Sequence, residues 1–238
     1  MKALKQKYFA FALIVFSILS VQMTIAQNNS DLEGWNSVGL DLKASKKLSF
    51  SIEEHLRLRN DISTVKNYFT QIKANYEVLK NFELGGGIRY ITRNDDVGNK
   101  QGLDRYFRYQ FDASYSQKIE KVAVLFRLRY QNKNQLRVSE EEKDIAQEFI
   151  RARIGLGYKI KAVKLNVRLF AEHFNQPNNS KLAQTETRMR YTLKISRKFK
   201  KIGTFTVFYG LQENNLNQEK TNKSFLGFKY AYKIDFTK

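Results

Sequence analysis

Alternation of apolar and polar residues runs through most of this chain. In residues 48–59, LSFSIEEHLRLR, every second residue is apolar apart from Glu54, and the residues between them are polar or charged. Successive side chains of a β-strand point to opposite faces, so a period of two indicates a strand with one apolar and one polar face. Eleven such segments can be counted between residues 35 and 236. The sequence therefore predicts an all-β protein built from two-faced strands.

The connections between these segments differ at the two ends of the predicted sheet. Short lysine-rich turns are expected near residues 44–47, 79–81, 118–121, 160–162 and 198–202. Polar loops are expected near residues 60–63, 93–103, 132–147, 175–184 and 214–223, and among these only the first is short. Short turns at one end and long loops at the other are typical of transmembrane barrels. The segments, at about 10 to 14 residues, are also close to the length that a tilted membrane-spanning strand needs.

These features predict a single antiparallel transmembrane β-barrel of ten to twelve strands with up-and-down topology. Single-chain bacterial barrels have even strand numbers, so eleven segments leave a parity problem. Twelve strands are preferred, with one hidden near residues 27–34, and ten is the second choice. The alternative is a soluble sandwich or a lipocalin-like ligand-binding barrel, which would turn its apolar faces inward. The glycines at 85–87 are expected to mark a bend or bulge.

Residues 1–26 have the pattern of an export signal. Lys2, Lys5 and Lys7 form a basic start, and residues 8–21 are apolar apart from two serines. Small residues then allow cleavage after Ala26. The apolar run is shorter than the roughly 20 residues of a spanning helix, so a retained anchor is the less favoured alternative. The expected organisation is a signal peptide at 1–26 followed by an outer-membrane β-barrel domain at 27–238.

Composition narrows the classes of partner. The chain has no cysteine, which excludes disulfides and a lipid anchor on cysteine. Its formal net charge is +19, and +16 without the three lysines of the signal segment. Such an excess suits nucleic acid, anionic lipid or an anionic solute. Because the basic residues alternate along strands and do not cluster on one exposed face, we expect outer-membrane lipid and small anionic solutes as partners, and no nucleic acid. The oligomeric state is not indicated.

If the apolar faces contact lipid, the polar faces line the lumen. The arginines on these faces form a predicted basic belt: Arg57, Arg59, Arg89, Arg108, Arg127, Arg129, Arg151, Arg153, Arg168, Arg188 and Arg190. The predicted lumen carboxylates are Glu53, Glu77, Glu83, Asp112 and Glu172, with Glu186 as a further partner for arginine. Rings of arginine favour anions in pores, which predicts a narrow anion-preferring channel. In a small lumen, however, the same side chains can pair and fill the interior, and this structural interpretation is preferred.

The aromatic residues near the strand ends are expected to form interfacial girdles. The members of this set are Trp35, Tyr90, Tyr109, Tyr130, Tyr158, Tyr191, Tyr209, Tyr230 and Phe236. Glu54 falls on the apolar face, where it would be costly at mid-depth unless a bulge relieved it.

Catalytic and metal chemistry are not predicted. His55 and His173 are the only histidines, and no Gly-x-Ser-x-Gly, His-Glu-x-x-His or cysteine cluster occurs. The acidic residues Glu140–Glu142 and Asp144 lack the ligand spacing of a calcium loop. We therefore expect no enzyme activity, no metal and no cofactor. The alternative is a lipid-modifying outer-membrane enzyme, which would use His55.

The chain resembles domain of unknown function 2490 (DUF2490), a family of predicted outer-membrane barrels found widely in Bacteroidota. The resemblance follows the signal segment, then Trp35 with Val38 and Leu40, the strand entry at residues 47–50, and Glu53 through Arg57 and Arg59. It spans most of the chain beyond the signal segment. It implies a porin-like barrel in the outer membrane, and it implies no catalytic residue.

Overall fold

A computed structural model describes residues 31–95, 101–138, 146–177, 186–216 and 219–237. The predicted signal peptide and the acidic residues 140–144 lie outside these ranges.

In the described residues, no helix is long and apolar enough to cross a bilayer.

Eleven strands form a closed barrel in the part of the chain that the structure describes. They are β1 (Asp31–Lys43), β2 (Leu48–Arg59), β3 (Thr64–Leu79), β4 (Phe82–Asp95), β5 (Gly102–Ile119), β6 (Val122–Gln135), β7 (Gln147–Ile160), β8 (Leu165–Asn175), β9 (Glu186–Phe199), β10 (Gly203–Leu216) and β11 (Glu219–Asp235). Each strand pairs antiparallel with the next along the chain. The predicted all-β barrel is confirmed.

The barrel closes through one parallel pair. β1 lies beside β11 in parallel register, from Asp31 opposite Lys223 to Lys43 opposite Asp235. When strands alternate in direction, an odd number leaves the first and last strand pointing the same way, so closure must be parallel. Eleven lies within the predicted range, but the preferred twelve is wrong. Residues 31–34 extend β1 at its start and add no separate strand.

The predicted loop at 214–223 is also wrong. β10 continues to Leu216 and β11 begins at Glu219, so two residues connect them. The sequence is polar there because inward residues such as Gln212 and outward residues such as Glu213 are both polar at this end of the strands. The longest connections run from residue 136 to 146 and from 176 to 185, on the side opposite the short turns. We refer to the two ends of the barrel as the long-loop end and the short-turn end.

The apolar faces of the strands point outward and the polar faces inward. Leu128 and Ile154 on the outer surface are 55% and 48% exposed, whereas Glu53 and Gln110 inside are 5% and 2% exposed. This arrangement is the reverse of a lipocalin-like carrier, whose interior is apolar. Glu54 remains on the outer face, opposite Val38 and Thr70, and no register shift occurs at its position.

Inward-facing glycines leave room for phenylalanine rings from the neighbouring strand. Gly155 lies opposite Phe170, Gly210 opposite Phe225, and Gly227 opposite Phe208. A methyl group on any of these glycines would overlap the facing ring. The glycines at 85–87 do not form the predicted bulge, because the register runs through them unbroken. Register shifts occur at Arg57/Leu58 and Glu77/Leu79 instead.

A single methyl group at Gly210 tests this packing. In Gly210→Ala the new Cβ would overlap the Phe225 ring and lie 2.6 Å from the Tyr191 carbonyl oxygen. Overpacking of this kind costs about 2 kcal/mol, and we expect that loss in the free energy of unfolding from urea titration in detergent micelles. Gly86→Ala is the matched control, because its new Cβ would meet no atom closer than 4.0 Å. Equal stability of the two variants would contradict the packing account.

Candidate functional site: the barrel interior

Polar side chains fill the barrel at mid-height. The lumen network is the set of inward residues that are at least nine-tenths buried at this level: Glu53, Gln71, Arg108, Gln110, Arg129, Gln131, Arg151, Glu172 and Thr192. They come from strands β2, β3 and β5 to β9, because the period of two directs every second side chain of each strand into the lumen. Their burial shows that side chains occupy the centre of the barrel.

Glu172 and Asp112 each anchor arginines of the lumen network. Glu172 accepts from Arg151 Nη2 at 3.0 Å and also pairs with Arg127. Asp112 accepts from Arg129 Nη2 at 2.7 Å. The strand register explains this clustering, since Arg129 lies opposite both Asp112 and Arg151 on its two neighbouring strands. Two carboxylates therefore hold three guanidinium groups.

Glu53 forms a second anionic centre nearer the short-turn end. Its carboxylate pairs with Lys73 at 3.2 Å and with Lys229 at 2.9 Å. Its other oxygen lies 3.0 Å from Nε2 of His55, whose ring stacks on Phe69 at 4.3 Å. Among the described hydrogen bonds, none joins His55 to a hydroxyl group, and His173 is exposed on the outer face.

Glutamine amides accept hydrogen bonds from several of the arginines. Arg89 donates to Gln71 at 3.2 Å, Arg108 to Gln110 at 2.7 Å, and Arg151 to Gln131 at 2.7 Å. Arg190 donates to Gln212 at 2.8 Å. Sequence reasoning missed these glutamines because it sought only charged partners. The available signal was their position: each glutamine lies on the inward face of its strand, either two residues from an arginine or opposite one on the neighbouring strand.

Aromatic rings also lie inside the barrel and stack against the arginines. Arg89 lies 3.9 Å from the Phe69 ring centre, Arg151 lies 4.1 Å from Phe174, and Arg153 lies 4.7 Å from Phe170. Such stacking offsets part of the cost of burying a guanidinium. These phenylalanines were not predicted as lumen residues, although each lies on the face of its strand that carries the polar residues.

Trp35 is not part of an interfacial girdle. Its ring lies inside the barrel, stacks on Phe225 with ring centres 4.0 Å apart, and donates Nε1 to Glu33 at 2.8 Å. Arg57 covers it at 4.0 Å. The tryptophan lies on the same face of β1 as Glu33 and Ser37, and this face points into the lumen.

The structure places nine of the eleven predicted belt arginines on the inner wall: Arg57, Arg89, Arg108, Arg127, Arg129, Arg151, Arg153, Arg188 and Arg190. Arg59 lies at the long-loop rim, with Nη2 3.5 Å from the Asn94 carbonyl. Arg168 is exposed at the short-turn end and does not join the lumen network.

Of the predicted lumen carboxylates, Glu53, Asp112 and Glu172 lie in the interior ion pairs. Glu77 is exposed at the short-turn end, and Glu83 is half-buried near it. Neither forms an ion pair with another described residue. Their strands end within a few residues of them, so they reach the rim and not the centre. Glu186 pairs with Arg188 at 2.6 Å near the long-loop end.

Cavities lie at both ends of the lumen network. At the long-loop end, the upper cavity has a volume of about 330 Å³ and is lined by Trp35, Arg57, Lys66, Arg188 and Arg190, among others. At the short-turn end, cavities of about 340 and 480 Å³ are lined in part by Glu77 and Glu83. In the described ranges, no group of three histidine, cysteine, aspartate or glutamate side chains could hold a metal ion.

Comparisons with known proteins identify a family and a distant structural likeness. The family model "Protein of unknown function (DUF2490)" matches residues 32–231. No curated protein sequence matches the chain significantly. Among solved structures, the anion-selective porin from Comamonas acidovorans is similar over 79% of this chain, with 10% identity and a TM-score of 0.37. The chain spans about half of that porin's length, 53%.

Glu172 provides a test of the interior ion pairs. Glu172→Gln keeps the shape of the side chain but leaves Arg127 and Arg151 buried without their carboxylate. We expect a loss of about 3 kcal/mol in the free energy of unfolding in micelles, because breaking a buried pair strands the remaining charge. Glu77→Gln makes the same chemical change at the exposed rim and should shift stability by less than about 0.5 kcal/mol. A similar response from both variants would show that the Glu172 pairs are energetically neutral.

Proposed function

This chain belongs to the DUF2490 family of proteins of unknown function, and we propose that it is an outer-membrane β-barrel whose interior is closed at mid-height by its own side chains. The observation that carries the proposal is the lumen network, in which Gln110, Glu53 and Glu172 are 2%, 5% and 5% exposed inside an apolar outer wall. The proposal includes export by a signal peptide cleaved after Ala26 and residence in an outer membrane of the kind that Bacteroidota have. It assigns no enzyme activity.

The outer wall supports a membrane location. Its central band is largely aliphatic, with Leu128, Ile154 and Leu193 all more than 40% exposed. Tyr76, Tyr115 and Tyr158 are exposed near the short-turn ends of their strands, and Tyr68, Tyr90 and Tyr191 lie further toward the long-loop end. Soluble proteins rarely expose so continuous an apolar surface to water, whereas an apolar band between two aromatic girdles is typical of barrels that span a bilayer.

A charge placed at two depths on the outer wall tests this location. Leu193→Arg puts a cation at the middle of β9, between Leu169 and Tyr209. We expect it to make folding into lipid vesicles less favourable by about 2–4 kcal/mol, because a guanidinium at mid-bilayer is poorly solvated.

The control for this charge is Ile119→Arg, at the last residue of β5, where exposure is 59%. Near the interface the cost should fall to about 0–1 kcal/mol. If both arginines were tolerated equally, the outer wall would face water and the proposed location would be wrong.

The charge balance of the interior supports a second candidate function, a narrow anion-preferring channel. Arg89, Arg108 and Arg153 form no ion pair with another described residue, so the lumen is more positive than its carboxylates can balance. Any pathway through this interior would favour anions. The two candidates differ in whether the lumen network blocks current.

Planar-bilayer recording separates the two candidates. We expect the wild-type barrel to show no conductance steps, because the lumen network fills the centre. The double variant Arg108→Ala, Arg151→Ala removes two buried side chains of that network and should give small, anion-preferring steps.

Arg168→Ala is the control for the recordings, since Arg168 is exposed outside the network, and this variant should stay silent. Anion-preferring steps from the wild-type protein would overturn the closed-barrel proposal in favour of the channel.

A further inference from the structure

The upper cavity carries an excess of positive charge. Its lining includes five cationic side chains, Arg57, Lys66, Arg188, Arg190 and Lys223, and two acidic ones, Glu33 and Glu186. The formal excess is therefore three positive charges. Concentrating like charges in a partly desolvated cavity is unfavourable unless a counter-charge joins them.

The two carboxylates are already engaged by other cations of the cavity. Glu33 pairs with Lys66 at 2.6 Å and with Lys223 at 3.5 Å. Glu186 accepts from Nε of Arg188 at 2.6 Å. Neither carboxylate forms a contact ion pair with Arg57 or Arg190 in the part of the chain that the structure describes.

Arg57 and Arg190 both lie against the same aromatic wall. Their guanidinium carbons are 4.0 and 4.9 Å from the Trp35 ring centre, and Phe225 stacks on Trp35. Stacking uses the face of a guanidinium and leaves the N–H groups on its edge free to donate. Arg190 gives two of these groups to Gln212, while Arg57 donates to no described residue. Because both arginines line the upper cavity, their remaining N–H donors are available there.

We propose that the upper cavity binds a small soluble oxyanion of the phosphate or phosphomonoester class, held by the guanidinium edges of Arg57 and Arg190. A phosphate dianion offers three strong acceptor oxygens and two negative charges, which match the donors and most of the charge excess. A volume of about 330 Å³ suits a small solute. The cavity lies inside the strand wall, so a free solute fits it better than the headgroup of a lipid outside.

This inference rests on the proposed function only for the direction from which the solute would arrive. Binding needs neither a bilayer nor a current. Absence of binding by a silent barrel would overturn the anion site alone, and wild-type conductance would overturn the closed barrel alone.

Isothermal titration calorimetry on the detergent-folded full barrel tests the site, with inorganic phosphate and glycerol 3-phosphate as ligands at constant sodium chloride. We expect one saturable site per chain for both ligands and none for glycerol. Arg57→Gln and Arg190→Gln should each weaken binding at least about tenfold, the loss expected for one charge-assisted contact. Arg168→Gln makes the same change at the opposite end and should leave binding unchanged.

A second variant keeps both arginines and tests the cavity itself. Thr221 lines the cavity, so Thr221→Asp would place a competing carboxylate there and should abolish binding. Retention of the folded barrel is checked by gel electrophoresis of heated and unheated samples, in which a folded barrel migrates differently from the unfolded chain. An equal loss in Arg168→Gln, or no saturable binding by the wild-type protein, would overturn the site. Competition by dioctanoyl phosphatidic acid in the same micelles would overturn the assignment to a soluble ligand.

Discussion

Buried guanidinium groups are the element around which the interior of this barrel is arranged. Each carries five donors and a charge that is costly to remove from water, so each needs acceptors or ring faces nearby. Glu172 and Asp112 hold three of them, but the interior has fewer carboxylates than arginines. Glutamine carbonyls and phenylalanine faces supply the remaining contacts. The network is therefore dense, and this density is the basis for proposing that the lumen is closed at mid-height.

This density depends on the inward glycines. A barrel of eleven strands encloses little space, and every second residue of each strand points into it. Gly155, Gly210 and Gly227 leave room for the rings of Phe170, Phe225 and Phe208 on the facing strands. Phe225 in turn supports Trp35, which positions Arg57 and Arg190. The positions of Arg57 and Arg190 thus depend on aromatic stacking, which in turn depends on the space left by the glycines.

The densely packed centre and the upper cavity differ in how far their positive charge is compensated. At mid-height, carboxylates compensate the charge of Arg127, Arg129 and Arg151, and glutamine carbonyls and phenylalanine rings contact the other arginines, so that region acts as a structural core. Toward the long-loop end the compensation is incomplete, since Glu33 and Glu186 are engaged by Lys66, Lys223 and Arg188. The same residue type therefore has two roles in one lumen, set by how many acceptors surround it.

Alternation in the sequence was enough to predict the strand pattern, the all-β class and which residues share a face, whereas the outward direction of the apolar faces is established by the structure. A period of two is a local property, so Leu48–Arg59 could be assigned without any partner strand. The strand count and the parallel seam between β1 and β11 could not, because closure depends on how the two ends of the ladder meet. The loop expected at 214–223 failed for a related reason, since polarity on both faces looks the same in a strand end and in a turn.

For the interior, alternation predicted that Arg57, Arg108 and Arg151 lie on the inner wall, but their contact partners could be identified only from the folded barrel. Pairs such as Arg151 with Glu172, or Arg57 with Trp35, depend on register and on the space beside them. Arg168 and Glu77 lie on the lumen side of their strands but at the exposed short-turn end. This height could not be predicted, because alternation gives the face of a strand and not the depth in the barrel. Alternation determines the face on which a side chain lies, whereas the strand register of the closed barrel determines which residues it contacts.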